Sequence, residues 1–186
     1  MKAGEEDTES VARCQKGIEL VQQGIIPANV IIPLTAGYGK EDPANPWRLS
    51  PGSSTPQRGE SLAEQQAAFL RKQAGLEKAI IIEQPLIWGT GNEIRESIRI
   101  IAELGYERAH FSFVATAGGQ LWRSRLVWSA IYPKGWTADF YGVLIPLPFA
   151  RKRHELASLL KYCVMFKAPA FFRPRPEVKD YVKKKT

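Results

Sequence analysis

The feature that most limits how this chain can fold is a repeated alternation of helical stripes with short β-branched runs. Residues 10–23 place Val11, Cys14, Ile18 and Val21 at helical spacing, with Ile25 continuing the stripe past a stop at Gly24. Residues 29–34 (NVIIPL) are a short apolar run. A helix over 61–74 follows, with Leu62, Gln66, Phe69 and Leu70 on one side and Gly75 at its stop. A strand over 79–83 (AIIIE) and a helix over 92–104, striped by Ile94, Ile98, Ile101 and Leu104 and closed by Gly105, continue the pattern. The second half predicts a strand at 109–115, an aromatic-rich helix at 120–132, a strand at 136–145 and a last helix at 151–166. Four strand–helix alternations after an opening helix imply an α/β fold, a three-layer Rossmann-like domain whose mainly parallel sheet is flanked by helices. The strands read as continuously apolar, as a sheet covered on both faces requires.

Residues 1–166 form this domain, interrupted by a long loop at 37–60 that holds four Gly, four Pro and four Ser/Thr. A loop of that length in a small domain is functional or mobile. Residues 167–186 are a basic C-terminal tail. The formal net charge of +7 is unevenly placed. Residues 1–150 carry 15 basic and 16 acidic side chains, and residues 151–166 carry four against one. The tail carries seven against two. A neutral body argues against a nucleic-acid-binding domain, which is basic on its working face. Contact of the tail with nucleic acid or an anionic membrane is accordingly disfavoured.

Neither a signal sequence nor a transmembrane segment is expected. The longest apolar run, 142–150 (GVLIPLPFA), is about half of the ~20 residues a bilayer needs, and two prolines break it. Two cysteines, Cys14 and Cys163, are too few for a disulfide framework and lack metal-site spacing. Both are expected to be reduced, in a cytoplasmic protein.

In an open α/β sheet, ligands bind beyond the carboxyl ends of the strands. Three loops there are rich in Gly and hydroxyl groups: TAGYG at 35–39, WGTGNE at 88–93 and TAGGQ at 116–120. Each offers backbone N–H groups to a phosphate or carboxylate. None is a P-loop, since no Gly-Lys-Ser/Thr follows, and none has the GxGxxG dinucleotide spacing. The residues expected to contact a small anionic ligand are Gly37, Gly39, Asn92, Thr116, Gly118, Gly119, Gln120 and Arg123, with Glu64 as acid–base or polar support. Asn92 could equally be a helix cap. Arg123 falls in the first turn of its helix, where a cation is unfavourable unless paired, and this points to an anion contact. Glu64 and Arg123 are the catalytic candidates. His110 and His154 have no local Cys or Ser partner, and no metal cluster is spelled out.

The order of these features resembles the ElyC/SanA/YdcF-like family of bacterial α/β proteins. Ser10, Arg13 and the stretch GIELVQQGIIPANVIIPLTAG are similar to that family's Ser-x-x-Arg helix running into a strand with a Gly-rich end, here Thr35, Ala36 and Gly37. ESLAEQQAAFLRKQAGLEKAIIIE places Glu64 and Glu83 on its acidic positions. Asn92 is what remains of a polar helix-opening segment. VATAGGQLWR keeps Thr116 and Arg123 and puts Gln120 where the family has histidine, and Glu155 echoes a closing helix start. Gln120 cannot exchange a proton near neutral pH, so a histidine-dependent step has no counterpart here. The resemblance implies a role in cell-envelope biogenesis, raises S-adenosylmethionine as a ligand, and implies that the family's first strand is missing. A homo-oligomer or a partner completing the sheet would follow from that gap. The rival reading is a degenerate, non-catalytic binding or assembly module, suggested by the lost histidine and by Trp122, Trp128, Phe171 and Phe172.

Overall fold

Helix α1 (Thr8–Gln22) ends as the sequence predicts, through a pair of reversed hydrogen bonds. Gly24 N–H donates to Val21 O and Ile25 N–H to Leu20 O, both at 2.9 Å. The computed structural model describes residues 8–27, 29–33, 62–83, 90–146 and 149–165, together with 177 and 179. These fall into two units, Met1–Gly89 and Thr90–Thr186.

The first unit continues with β1 (Val30–Ile31), α2 (Leu62–Leu70) and β2 (Ile80–Ile81). The two strands pair in parallel, Val30 opposite Ile80 and Ile31 opposite Ile81. Ile18, Leu70 and Leu76 are buried together, with Cys14, Val21, Ile31, Phe69, Ala79 and Ile81 packed against them. Ile25 does not extend the α1 stripe. It is 52% exposed because the turn at Gly24 carries it off the helix face, and Leu20 is buried instead. Helix α2 stops four residues earlier than expected. Its hydrogen bonds tighten from Arg71 N to Ala67 O into three-residue spacings, Lys72 N to Phe69 O and Gln73 N to Leu70 O. Ala63 and Ala67, both at 0% exposure, form its inner side with Leu70. The loop at 37–60 lies outside the described residues.

The second unit comprises α3 (Thr90–Glu103), β3 (His110–Thr116), α4 (Gly119–Ile131), β4 (Thr137–Val143) and α5 (Phe149–Met165). Ile94, Ile98 and Ile101 are buried as the stripe requires. Leu104 is 46% exposed, since the chain leaves the helix there through Gly105 at φ 87, with Gly105 N–H on Ala102 O and Tyr106 N–H on Ile101 O. Arg99 bridges Glu96 and Glu103 on the outer side of α3.

Strands β3 and β4 pair in parallel over seven residues, from His110 opposite Thr137 to Thr116 opposite Val143, with α4 as the crossover. Because side chains alternate along a strand, Phe111, Phe113, Ala138 and Phe140 share one face. Trp128 of α4 meets Phe111 and Phe113 there at ring separations of 5.1 and 5.5 Å, and Trp136 stacks on Phe111 at 5.6 Å. The opposite face starts with His110, Thr137 and Asp139, all exposed. The expectation of continuously apolar strands therefore fails for the first half of each strand, where HFSF and TADF alternate, while β3 runs on through Phe113, Val114 and Ala115 and ends with Ala115 and Thr116 both buried. The described part of the fold is mixed helix and strand with parallel strand pairs. No described helix is long and apolar enough to cross a membrane. Within the tail, Glu177 makes an exposed ion pair with Lys134 at 3.8 Å.

Candidate functional site

The turn from β3 into α4 carries the sequence Thr116-Ala117-Gly118-Gly119-Gln120. Ala117 N–H extends the ladder to Val143 O at 2.8 Å. Gly118 then takes φ 98 and ψ −134, a backbone region closed to side chains, and stands as the N-cap without any side-chain cap. Gln120 reaches back so that its Oε1 accepts the Thr116 N–H at 3.0 Å, and its own carbonyl receives the Ser124 hydroxyl at 3.1 Å. Gln120 and Thr116 thus stiffen the turn, and Thr116 is only 3% exposed.

Gly119 opens α4 because α5 runs against it. A Cβ at this position would lie 3.0 Å from both Cβ and O of Glu155 and 3.1 Å from Glu155 Oε2. The carboxylate of Glu155 is thereby brought to the N-terminal end of α4, where the helix dipole favours negative charge. Arg123, one turn further on, donates from Nη1 to Glu155 Oε2 at 2.5 Å. Both side chains are 10% exposed. The Arg123 guanidinium also stands 6.0 Å from the centroid of the Tyr162 ring, and Tyr162 OH accepts the Gly91 N–H at 3.4 Å. Arg123, Glu155 and Tyr162 therefore tie the starts of α3 and α4 to the inner side of α5.

Outside this pair lies a shallow pocket of about 310 Å³, lined by Ala117, Gly118, Gly119, Ile145, Lys152, Glu155, Leu156 and Leu159. It lies beyond the carboxyl ends of β3 and β4, the edge where open α/β sheets hold ligands. Its walls are mainly apolar. Its polar features are the glycine backbone, the Glu155 carboxylate and the ammonium of Lys152, which is exposed.

The predicted site residues separate accordingly. Gly118 and Gly119 line the pocket, Thr116 and Gln120 build the turn beneath it, and Arg123 is buried behind it. Asn92 is exposed on α3 and does not line the pocket. It is the third residue of α3, which begins at Thr90, so it is not the helix cap. Arg123 is the fifth residue of α4, beyond the first turn, and the pairing that its placement demands is met by Glu155. Gly37 and Gly39 lie outside the described residues, as do the side chain of Glu64 and those of Phe171 and Phe172. Of the histidines, His154 is exposed on α5. His110 sits at the start of β3, its Nδ1 2.8 Å from Thr137 Oγ1 and its Nε2 3.2 Å from Asp139 Oδ2.

Lys152, Leu156, Leu159, Tyr162 and Ile145 are not legible as site residues from sequence. One signal was present: Glu155 is the single acid in a helix otherwise charged by Arg151, Lys152, Arg153 and Lys161. Among the described residues, no group of three or more His, Cys, Asp or Glu lies together as a metal site. The chain matches no family model, and comparison with curated proteins and with solved structures finds no match either.

Proposed function

We propose that this chain is a small-molecule-binding α/β protein of the ElyC/SanA/YdcF-like kind. In this reading a three-layer Rossmann-like domain over residues 1–166 holds an anionic or nucleotide-like ligand at the carboxyl edge of its sheet. The observation that carries the ligand reading is the pocket of about 310 Å³ opening on the uncapped glycine turn of α4, with Lys152 at its rim. The ligand's apolar body rests on Ile145, Leu156 and Leu159. Its anionic group meets Lys152 and the backbone of Gly118 and Gly119. Glu155 faces the same space, so a ligand carrying positive as well as negative charge suits it best, and S-adenosylmethionine has that character. Arg123 acts from behind by holding Glu155 in place. In this reading the protein works in the cytoplasm.

Titration calorimetry of the full chain with nucleotides, S-adenosylmethionine and sugar phosphates tests this. Binding by one of them should weaken about tenfold on Lys152→Ala, the loss of one charge-assisted contact. Silence across the panel, or affinity unchanged by Lys152→Ala, overturns the reading. A second reading, a non-catalytic binding or assembly module, is favoured by one specific observation. The α4 terminus and Arg123 already have an internal carboxylate in Glu155. A homo-oligomer, or a partner that completes the sheet, belongs to that reading. Light scattering showing a monomer that also binds a ligand from the panel would refute it.

A further inference from the structure

We infer that the outer side of α5 is a docking surface for an anionic lipid membrane, on which the helix lies flat without crossing it. The helix packs through one side, where Glu155 is buried and Ser158, Leu159 and Tyr162 are half-buried. At roughly 100° per residue, Phe149, Leu156, Leu160 and Val164 fall within an arc of ~80° centred about 150° from that packed side. These four are among the most exposed large apolar side chains of the described residues, at 75%, 58%, 59% and 63%. Leu144, just before the helix, is 91% exposed. The stripe runs about 22 Å along the helix.

Charge decides the occupant. Lys152 borders the stripe on one edge, His154 and Lys161 on the other, and Arg153 stands within it near the N-terminal end; all four are exposed. The one acid of the helix, Glu155, is turned inward and neutralised by Arg123. A second copy of this helix would set basic groups against basic groups across the apolar seam. An anionic bilayer instead receives the apolar stripe at the boundary of its headgroups while its phosphates meet the cations, the arrangement of an interfacial amphipathic helix. The surface shares Leu156 and Lys152 with the pocket, whereas Leu160, Val164, Arg153 and Lys161 do not line it, so substitutions at those four separate the two readings.

The test is sedimentation of the full chain with phosphatidylcholine vesicles, with and without phosphatidylglycerol. Binding is expected only where phosphatidylglycerol is present, falling severalfold when salt is raised from about 0.1 M to about 0.5 M. Leu160→Ser combined with Val164→Ser should lower the partition coefficient at least about tenfold, and Arg153→Glu combined with Lys161→Glu should abolish it. Circular dichroism checks that both variants stay folded, which their exposure favours. Failure to sediment with either vesicle, or binding insensitive to Leu160→Ser/Val164→Ser, overturns the inference. So does a dimer in light scattering that those substitutions dissolve, because the stripe is then a contact between copies. Cys163 is exposed beside the stripe. If it resists alkylation in the vesicle-free chain, the surface is already covered by the protein itself, and the inference also falls.

Discussion

Replacing Glu155 by glutamine is the most discriminating perturbation of the second unit. It keeps the shape of the side chain and removes the charge that Arg123 meets at 2.5 Å. Both partners are 10% exposed, so water cannot readily take the carboxylate's place. Removing one member of a buried pair costs about 3–5 kcal/mol, because the survivor stays buried and uncompensated. Glu155→Gln should sit at the lower end, near 3 kcal/mol, since the amide oxygen can still accept from Arg123. Arg123→Met should cost less, about 2 kcal/mol. It leaves a carboxylate beside the N-terminus of α4, whose dipole continues to stabilise it, whereas Glu155→Gln leaves a buried guanidinium beyond the first turn that has lost its opposite charge. The double variant should be milder than the two losses added, by at least about 1 kcal/mol. Urea unfolding of the full chain, followed by fluorescence of the buried Trp128 and Trp136, reads these differences. With a slope of about 2 kcal/mol/M, Glu155→Gln should move the midpoint down by about 1.5 M. A shift under about 0.3 M, an order of cost reversed between the two single variants, or strict additivity would each refute the argument.

Four further outcomes follow from other contacts. Gly118→Ala forces a side chain into φ 98 and should cost about 1–3 kcal/mol. Gly119→Ala presses a methyl group to 3.0 Å from the Glu155 backbone and should cost a similar amount, combining less than additively with Glu155→Gln in urea unfolding. Trp136→Ala removes a ring that is 1% exposed, stacks on Phe111 and donates from Nε1 to Glu107 O at 2.9 Å. Its cost should be about 3–5 kcal/mol, with Trp136→Phe keeping most of the stability. In the first unit, the Gly75 N–H donates to both Glu77 oxygens at 3.0 Å, and this bond, with Glu77's own N–H, holds its carboxyl below the usual carboxylate range. A depressed native value means stability that is complete above the ordinary carboxylate value and lost as pH falls through the lowered one. Glu77→Gln should therefore lower the melting temperature near neutral pH and leave it unchanged at strongly acid pH. An equal drop at both would contradict that origin.

The periodicities of the chain specify its local elements because they follow from rules that act within a few residues. Ile94, Ile98 and Ile101 lie one turn apart on a common side. Gly24 and Gly105 end helices because a single residue must reverse the backbone there, and Pro133 closes α4 just past its last turn. The TAGGQ turn is legible in the same local terms, as a strand ending in residues that only glycine conformations can carry into a helix. Boundaries were less legible, as at α2, whose last turn tightens, and at α3, which starts two residues before Asn92. Helix ends depend on which bonds compete in the final turn.

Tertiary structure alone decided what the site contains. Arg123 reads from sequence as a cation seeking an anion, but its partner is 32 residues away on α5. Nothing in local spacing shows that Glu155 is the group delivered to it. That pairing requires Gly119 to let the two helices meet, and Tyr162 to anchor the far side. In the same way, the HFSF and TADF alternations are present in the sequence, yet which of their faces is covered follows from where Trp128 packs. Short-range sterics and hydrogen bonding write the elements into the chain. Long-range packing chooses which charges are buried together and which apolar side chains, like those on the outer side of α5, stay in view.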